Sequence, residues 1–298
     1  MATAVPTARA GGLTLALLGS IAFSGKAIIV KLAYRYGVDA VTLIMLRMLF
    51  ALPLFLTLAW WAGRGKPALT ARDRWAVLGL GFCGYYLSSF LDFAGLQYIS
   101  ASFERLILYL NPTLVLLLGL LFFERRVSTR QWLAMGLSYL GVLLVFGREW
   151  SAEGAQAGLG AALVFASAIT YAIYLLASGE VVQRLGSLRL TGLATSVACV
   201  LCIAQYLLLR PWDSALAVAP QVVSLSVLNA VLCTFAPVLM VMMAIERIGP
   251  ALTAQAGMIG PMSTITMGVL LLGEPFTGWV VVGTALVLLG VWLVMRPR

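Results

Sequence analysis

Runs of apolar residues about 20 long recur along the chain between short polar stretches, and apolar and polar positions inside them do not alternate with period two. Coiled as an α-helix, a run of that length matches the hydrocarbon thickness of a bilayer, whereas a spanning strand needs about ten alternating residues. The pattern predicts ten membrane helices, at 11–32, 40–62, 75–97, 102–123, 129–146, 159–178, 190–209, 222–244, 252–272 and 278–295. The longest polar stretches, 63–74 and 147–157, are too short to hold a soluble domain.

Composition agrees with lipid as the solvent. The residues AVILMFWYC make up 62% of 298 positions, charged residues 10%, and mean hydropathy is +1.00. Lipid offers the backbone no hydrogen-bond partner, so an all-α membrane fold is the expectation. The eight Trp all fall near the ends of runs, at headgroup level. Cys83, Cys199, Cys202 and Cys233 lie inside runs and read as small packing residues; the C-x-x-C of Cys199 and Cys202 lacks a thioredoxin-like context. The first run follows a lone Arg9 like a signal peptide, yet its likeness to the run opening the second half predicts that it is retained.

The net charge of +9 invites nucleic acid, but its placement reads as topology. With the N-terminus inside, thirteen Lys and Arg fall on one face (Arg9, Arg64, Lys66, Arg72, Arg74, Arg125, Arg126, Arg130, Arg184, Arg189, Arg247, Arg296, Arg298), against Arg35, Arg148 and Arg210 opposite. That bias predicts both termini in the cytoplasm.

The chain also repeats. At a spacing of 149, Asn111-Pro112 matches Gly260-Pro261, Gly119 matches Gly268, and Leu140-Gly141-Val142 matches Leu289-Gly290-Val291; a one-residue slip pairs Glu124 with Glu274. Two five-helix units, 1–147 and 157–298, are thus expected. An odd helix number sends the second in from the opposite face, giving inverted repeats that can rock about a central cavity. Pro112 and Pro261 lie roughly 14 to 15 Å into the fourth and ninth runs, near the midplane. Each removes a backbone bond and leaves a carbonyl, of Leu108 and of Gly257, available. Paired midplane interruptions point to a solute site.

These features resemble the EamA-type drug/metabolite transporters over nearly the whole chain, through Leu46-Arg47-Met48, Leu110-Asn111-Pro112-Thr113 running to Phe123-Glu124, and Gly260-Pro261 running to Leu272-Gly273-Glu274. Within that family the chain looks most like the bacterial amino-acid exporters of the YddG type. The resemblance implies inner-membrane export through a central cavity, with spans five and ten at the periphery, where homodimer contacts would form.

Charges inside a membrane cost roughly 2.5 to 3.5 kcal/mol each, so they face a wet cavity or a partner. Lys26, Arg47, Asp92, Glu104 and Arg105 all fall within about 10 Å of the outer surface. They read either as a mixed-sign vestibule for a zwitterion or as a structural set in which Lys26 and Arg105 snorkel and Arg47 pairs with Asp92 or Glu104. Helical spacing adds Ser20 and Ser24 on the first span and Ser167, Thr170, Tyr171 and Tyr174 on the sixth. It also groups Tyr85, Ser88, Ser89 and Asp92 on the third, and Arg105, Tyr109 and Pro112 on the fourth. With Asn111, Pro261 and the adaptable Met258 and Met262, these are the candidate solute-binding residues. Hydroxyls of this kind also bond helix to helix. Gly79-Leu80-Gly81-Phe82-Cys83-Gly84 spells G-x-G-x-x-G but follows no strand, so close helix packing explains it better than dinucleotide binding.

The chain has no His and Asp92 is its one membrane Asp, which removes Ser-His hydrolysis, His-liganded zinc and an aspartyl dyad. No cofactor or metal is expected. The expectation is a carrier for apolar or aromatic amino acids or similar metabolites; a drug-like efflux carrier is the alternative, and a channel is a weaker one.

Overall fold

The computed structural model describes residues 4–123, 128–257 and 259–295. All regular elements there are helical. They are α1 (Ala4–Tyr34), α2 (Ala40–Gly63), α3 (Ala71–Leu80), α4 (Ser88–Gly95), α5 (Ala101–Leu108), α6 (Asn111–Phe123), α7 (Thr129–Glu153), α8 (Ala155–Leu185), α9 (Ser187–Leu209), α10 (Pro220–Ala230), α11 (Ala236–Gly257), α12 (Gly260–Met267) and α13 (Gly278–Met295). Three π-helical segments, Gly81–Leu87, Val231–Phe235 and Gly268–Leu272, extend α3, α10 and α12, and a short 3-10 helix covers Trp212–Leu216.

Joined across these π segments and the α5/α6 break, eight helices among the described residues are long and apolar enough to cross a membrane; two shorter apolar ones, Gly260–Leu272 and Gly278–Leu293, follow. Polar residues at the ends fix where helices begin. Asp39 accepts from the amides of Val41 and Thr42, Thr70 and Asp73 form a capping box, as do Ser128 and Gln131, and Ser100 accepts from Phe103. The eight Trp are exposed, as an interfacial belt requires.

Several boundaries differ from the expectation, among them the start of α1 at Ala4 and the end of α8 at Leu185. The fifth helix runs on to Glu153 and the sixth starts at Ala155, because helical hydrogen bonding continues past the apolar stretch. Helical assignment is also unbroken through 245–251, where a connection was expected. The chain nevertheless turns back there. Gly25 of α1 lies against Cys233, Gly19 against Met240 and Val241, and Gly12 against Ile248, whereas Ser20 then meets Gly257 and Ser24 meets Gly260. Segments 233–248 and 257–260 therefore run in opposite directions beside one helix.

The main pairings are α1 with α11, α2 with α9, α4 with α8 and α7 with α13. Small residues allow the closest approaches. A Cβ on Gly81 would come within 2.6 Å of the Ala194 carbonyl, and Gly84 lies against the Tyr174 ring, so the G-x-G-x-x-G stretch packs helices at two of its glycines. Cys199, Cys202 and Cys233 are buried, and all four cysteines are free.

Candidate functional site

The two proline interruptions differ in how their open carbonyls are closed. After α5 the chain makes one turn at Tyr109 and Leu110 before α6 begins at Asn111. The Leu108 carbonyl that Pro112 leaves open takes the Asn111 Nδ2–H at 2.7 Å. The Gly257 carbonyl that Pro261 leaves open takes the Tyr109 hydroxyl at 2.5 Å, across 148 positions of sequence. Both carbonyls expected to be available are thus occupied by side chains. Pro261 is buried and Pro112 half-buried.

Around the second break the first half supplies most of the donors. Ser24 Oγ donates to the Gly260 carbonyl at 2.8 Å, and Arg105 Nε donates to Thr264 Oγ1 at 3.0 Å while its Nη2 donates to the Phe23 carbonyl at 3.0 Å. Gly260 is needed here, since a Cβ would lie 2.6 Å from the Tyr109 hydroxyl oxygen.

Beside this crossing sit the membrane charges. Lys26 contacts Asp92 Oδ2 and lies 3.4 Å from Glu104 Oε1. Arg47, which the structural one of the two readings pairs with Asp92 or Glu104, donates from Nε to Thr234 Oγ1 at 3.1 Å and lies 5.0 Å over the Phe93 ring. The reason is the π segment at Val231–Phe235: its i→i+5 bonding turns Thr234 inward, where its hydroxyl also bonds the Asn229 carbonyl at 2.9 Å. Neither Lys26 nor Arg105 snorkels. Arg47, Asp92 and Glu104 are 6%, 2% and 0% exposed, so this set is a closed cluster in the described arrangement and not an open vestibule.

The hydroxyl and tyrosine candidates form a separate seam between the third helix and α8. Tyr85 and Tyr174 are 3.2 Å apart at their hydroxyls, Ser88 and Ser167 bond at 3.1 Å, Cys83 donates to the Thr170 carbonyl at 3.1 Å, and Tyr171 stacks on Tyr174. The π segment Gly81–Leu87 breaks the period that grouped Tyr85 with Asp92. Ser20 bonds its own helix at the Ala16 carbonyl and Ser89 is half-buried. Met262 is exposed, and Met258 lies outside the described residues.

A cavity of about 520 Å³ opens elsewhere. It lies between the ends of α1, α4, α7 and the segment 272–280, and carries Lys31, Arg35, Arg148, Glu149 and Glu274. Its floor is a contact the sequence reading passed over. Glu274 accepts from the Ala101 amide at 2.7 Å, the Ser102 amide at 3.2 Å and the Ser102 hydroxyl at 2.6 Å, capping α5 from the far half of the chain. Gly273, at φ +73°, makes the left-handed turn that aims it, so Leu272-Gly273-Glu274 is a turn and a cap. Arg35 adds a second tie, donating to the Leu272 carbonyl at 2.6 Å.

Comparison with known proteins places this arrangement. The profile of the EamA-like transporter family matches residues 10–147 and again 158–296. An uncharacterised transporter of Bacillus subtilis strain 168, YcbK, is 31% identical over 270 residues, covering 89% of this chain and 86% of that protein. An uncharacterised transporter of Archaeoglobus fulgidus is 25% identical over 228 residues, covering 76% and 79%. One solved crystal structure shares the fold with a TM-score of 0.62 at 16% identity, over 95% of this chain and 96% of the other. The chain belongs to the EamA-like transporter family.

Proposed function

We propose that this transporter exports amino acids with apolar or aromatic side chains, or similar metabolites, across a bacterial inner membrane by alternating access, as the YddG-type exporters it resembles do. In this reading ten membrane helices form two inverted repeats, 1–147 and 157–298, with both termini cytoplasmic. The observation that carries it is the crossing of the two interrupted helices, where Tyr109, Ser24 and Arg105 of one half bond Gly257, Gly260 and Thr264 of the other. Contacts of this kind, polar and few, can be exchanged for water or solute as the halves part, whereas a packed apolar seam could not. Further support comes from the π segments at Gly81 and Val231, which are 150 positions apart and so fall at equivalent places in the two halves.

The cavity between the ends of the halves supports a zwitterion as cargo. Its volume of about 520 Å³ suits a small solute, and it carries Lys31, Arg35 and Arg148 against Glu149 and Glu274. Counterflow of a panel of labelled apolar and aromatic amino acids in proteoliposomes tests the proposal. Faster exchange than in protein-free vesicles is expected for at least one of them; equal rates across the panel would refute it.

A further inference from the structure

Two buried carboxyl groups share one ammonium group beside the helix crossing. Asp92 on α4 and Glu104 on α5 are 2% and 0% exposed, and both reach the same ammonium group, that of Lys26. Among the described residues, Asp92 Oδ1 and both Glu104 oxygens receive no hydrogen bond. Ionised carboxylates only accept, so two of them buried on one ammonium repel unless one carries a proton that the other can take up.

The surrounding cations do not remove that need. Lys26 of α1 touches Asp92 and lies 3.4 Å from Glu104, so one ammonium answers two acids. Arg47 of α2 points its Nε at Thr234, and Arg105 of α5 spends Nε and Nη2 on Thr264 and the Phe23 carbonyl. Of the other titratable groups nearby, Tyr34 of α1 donates to the Phe93 carbonyl at 2.6 Å, and Cys233 sits in the π segment beside the cations.

We infer that Asp92 and Glu104 form a proton site, in which one proton bridges the two carboxyl groups and its release couples the proton gradient to solute movement at the helix crossing. The coupling rests on the transport reading; the proton site does not. In the loaded state one acid is protonated and donates to the other carboxylate. Loss of the proton to water leaves two carboxylates whose oxygens can accept from a solute ammonium group. Proton and ammonium then compete for the same atoms, so each expels the other, which is the requirement for exchange of protons against solute. A hard metal cation fits poorly, since it asks for six or so oxygen ligands and the Lys26 ammonium already stands among these.

Infrared difference spectra of the purified protein, titrated from acid to alkaline pH, test the site without any solute. A protonated carboxyl shows a carbonyl stretch above the amide band. The wild type is expected to lose one such band as pH rises, and Glu104→Gln and Asp92→Asn are each expected to lack it. No titrating carboxyl band, or the same band in both variants, overturns the site. Wild-type proteoliposomes with L-phenylalanine as the probe test the coupling. Accumulation above the outside concentration is expected when the lumen is acid, and it should be unchanged when sodium is replaced by choline. Accumulation driven by a sodium gradient at equal pH, or phenylalanine exchange indifferent to the proton gradient, overturns the coupling. If phenylalanine does not exchange at all, the transport reading for that solute fails while the infrared result still decides the proton site.

Discussion

The Tyr109 hydroxyl stands 2.5 Å from the Gly257 carbonyl oxygen, so a side chain from one helix break closes the carbonyl that a proline opens in the other. The first break closes itself, through Asn111 on Leu108 at 2.7 Å, and the second depends on its partner half. This asymmetry makes Tyr109 a tie between halves. Tyr109→Phe keeps the ring and removes the donor, leaving the Gly257 carbonyl unsatisfied at a cost of about 1 to 3 kcal/mol. A melting temperature in detergent below that of the wild type is expected, and an unchanged one would show that the tie carries no stability.

Glu274 makes the second tie, with three hydrogen bonds to the first turn of α5. Glu274→Ala is expected to cost about 1 to 2 kcal/mol, as loss of an N-cap and of an anion at a helix N-terminus. Ser102→Ala removes one of the three bonds. A double-mutant cycle should therefore find the pair non-additive by at least 0.5 kcal/mol or so. Strict additivity would mean that Glu274 does not act through Ser102.

Several of these features were legible in the sequence and several were not, for identifiable reasons. Apolar run length located the helices because lipid thickness fixes it, but it missed the extension of α7 to Glu153, since hydropathy reports burial in lipid and not helical hydrogen bonding. The proline breaks were readable because proline lacks an amide proton wherever it stands. The occupants of the freed carbonyls were not readable, because Tyr109 and Gly257 are brought together only by the fold. That Lys26 and not Arg47 meets Asp92 was hidden for a different reason: π segments at Gly81–Leu87 and Val231–Phe235 shift side-chain direction and leave no compositional mark. Glu274 stood in a recognised motif, but its partners lie more than 170 positions away.

Asp39 gives a pH dependence outside the membrane helices. Burial alone would raise its carboxyl, but hydrogen bonds from the Thr42 side chain and amide, and the Arg210 guanidinium at 3.3 Å, outweigh it and hold the carboxyl below its ordinary range. A depressed folded value favours the ionised form in the fold. Its contribution is therefore complete above the unfolded value near 4 and fades as pH falls through the folded one. Asp39→Asn keeps a capping oxygen and loses the charge. Its deficit in melting temperature against the wild type should shrink as the buffer is taken from neutral to below about pH 4. A deficit constant with pH would contradict the assignment.

Gly141 and Gly283 form a tight part of the α7–α13 seam. A Cβ on Gly141 would lie 2.5 Å from the Gly283 carbonyl oxygen, and one on Gly283 would lie 2.7 Å from the Gly141 carbonyl oxygen. Backbone atoms cannot yield as a flexible side chain can, so Gly141→Leu must force the helices apart. The seam lies away from the helix crossing. The expected outcome is a lower melting temperature with KM for the exchanged solute unchanged, and a raised KM with normal melting would place the seam in the transport path.

Among the described residues, Thr234 Oγ1 is the one side-chain acceptor of a hydrogen bond from the buried Arg47 guanidinium, at 3.1 Å, while donating at 2.9 Å to the Asn229 carbonyl. Arg47 is 6% exposed and its Nη1 already has no acceptor among the described residues. Thr234→Val matches the shape and removes both bonds, so it should cost about 1.5 to 3 kcal/mol, as loss of a hydrogen bond to a buried charged group does. Thr234→Ser keeps the hydroxyl and loses one methyl, which should cost about 1 kcal/mol. The decisive comparison is Arg47→Met combined with Thr234→Val. Removing the charge as well leaves nothing to desolvate, so the double variant should melt higher than Thr234→Val alone. A double variant that melts at or below Thr234→Val would mean that Arg47 stabilises the fold by contacts other than this hydroxyl, the Phe93 ring at 5.0 Å being the first to test.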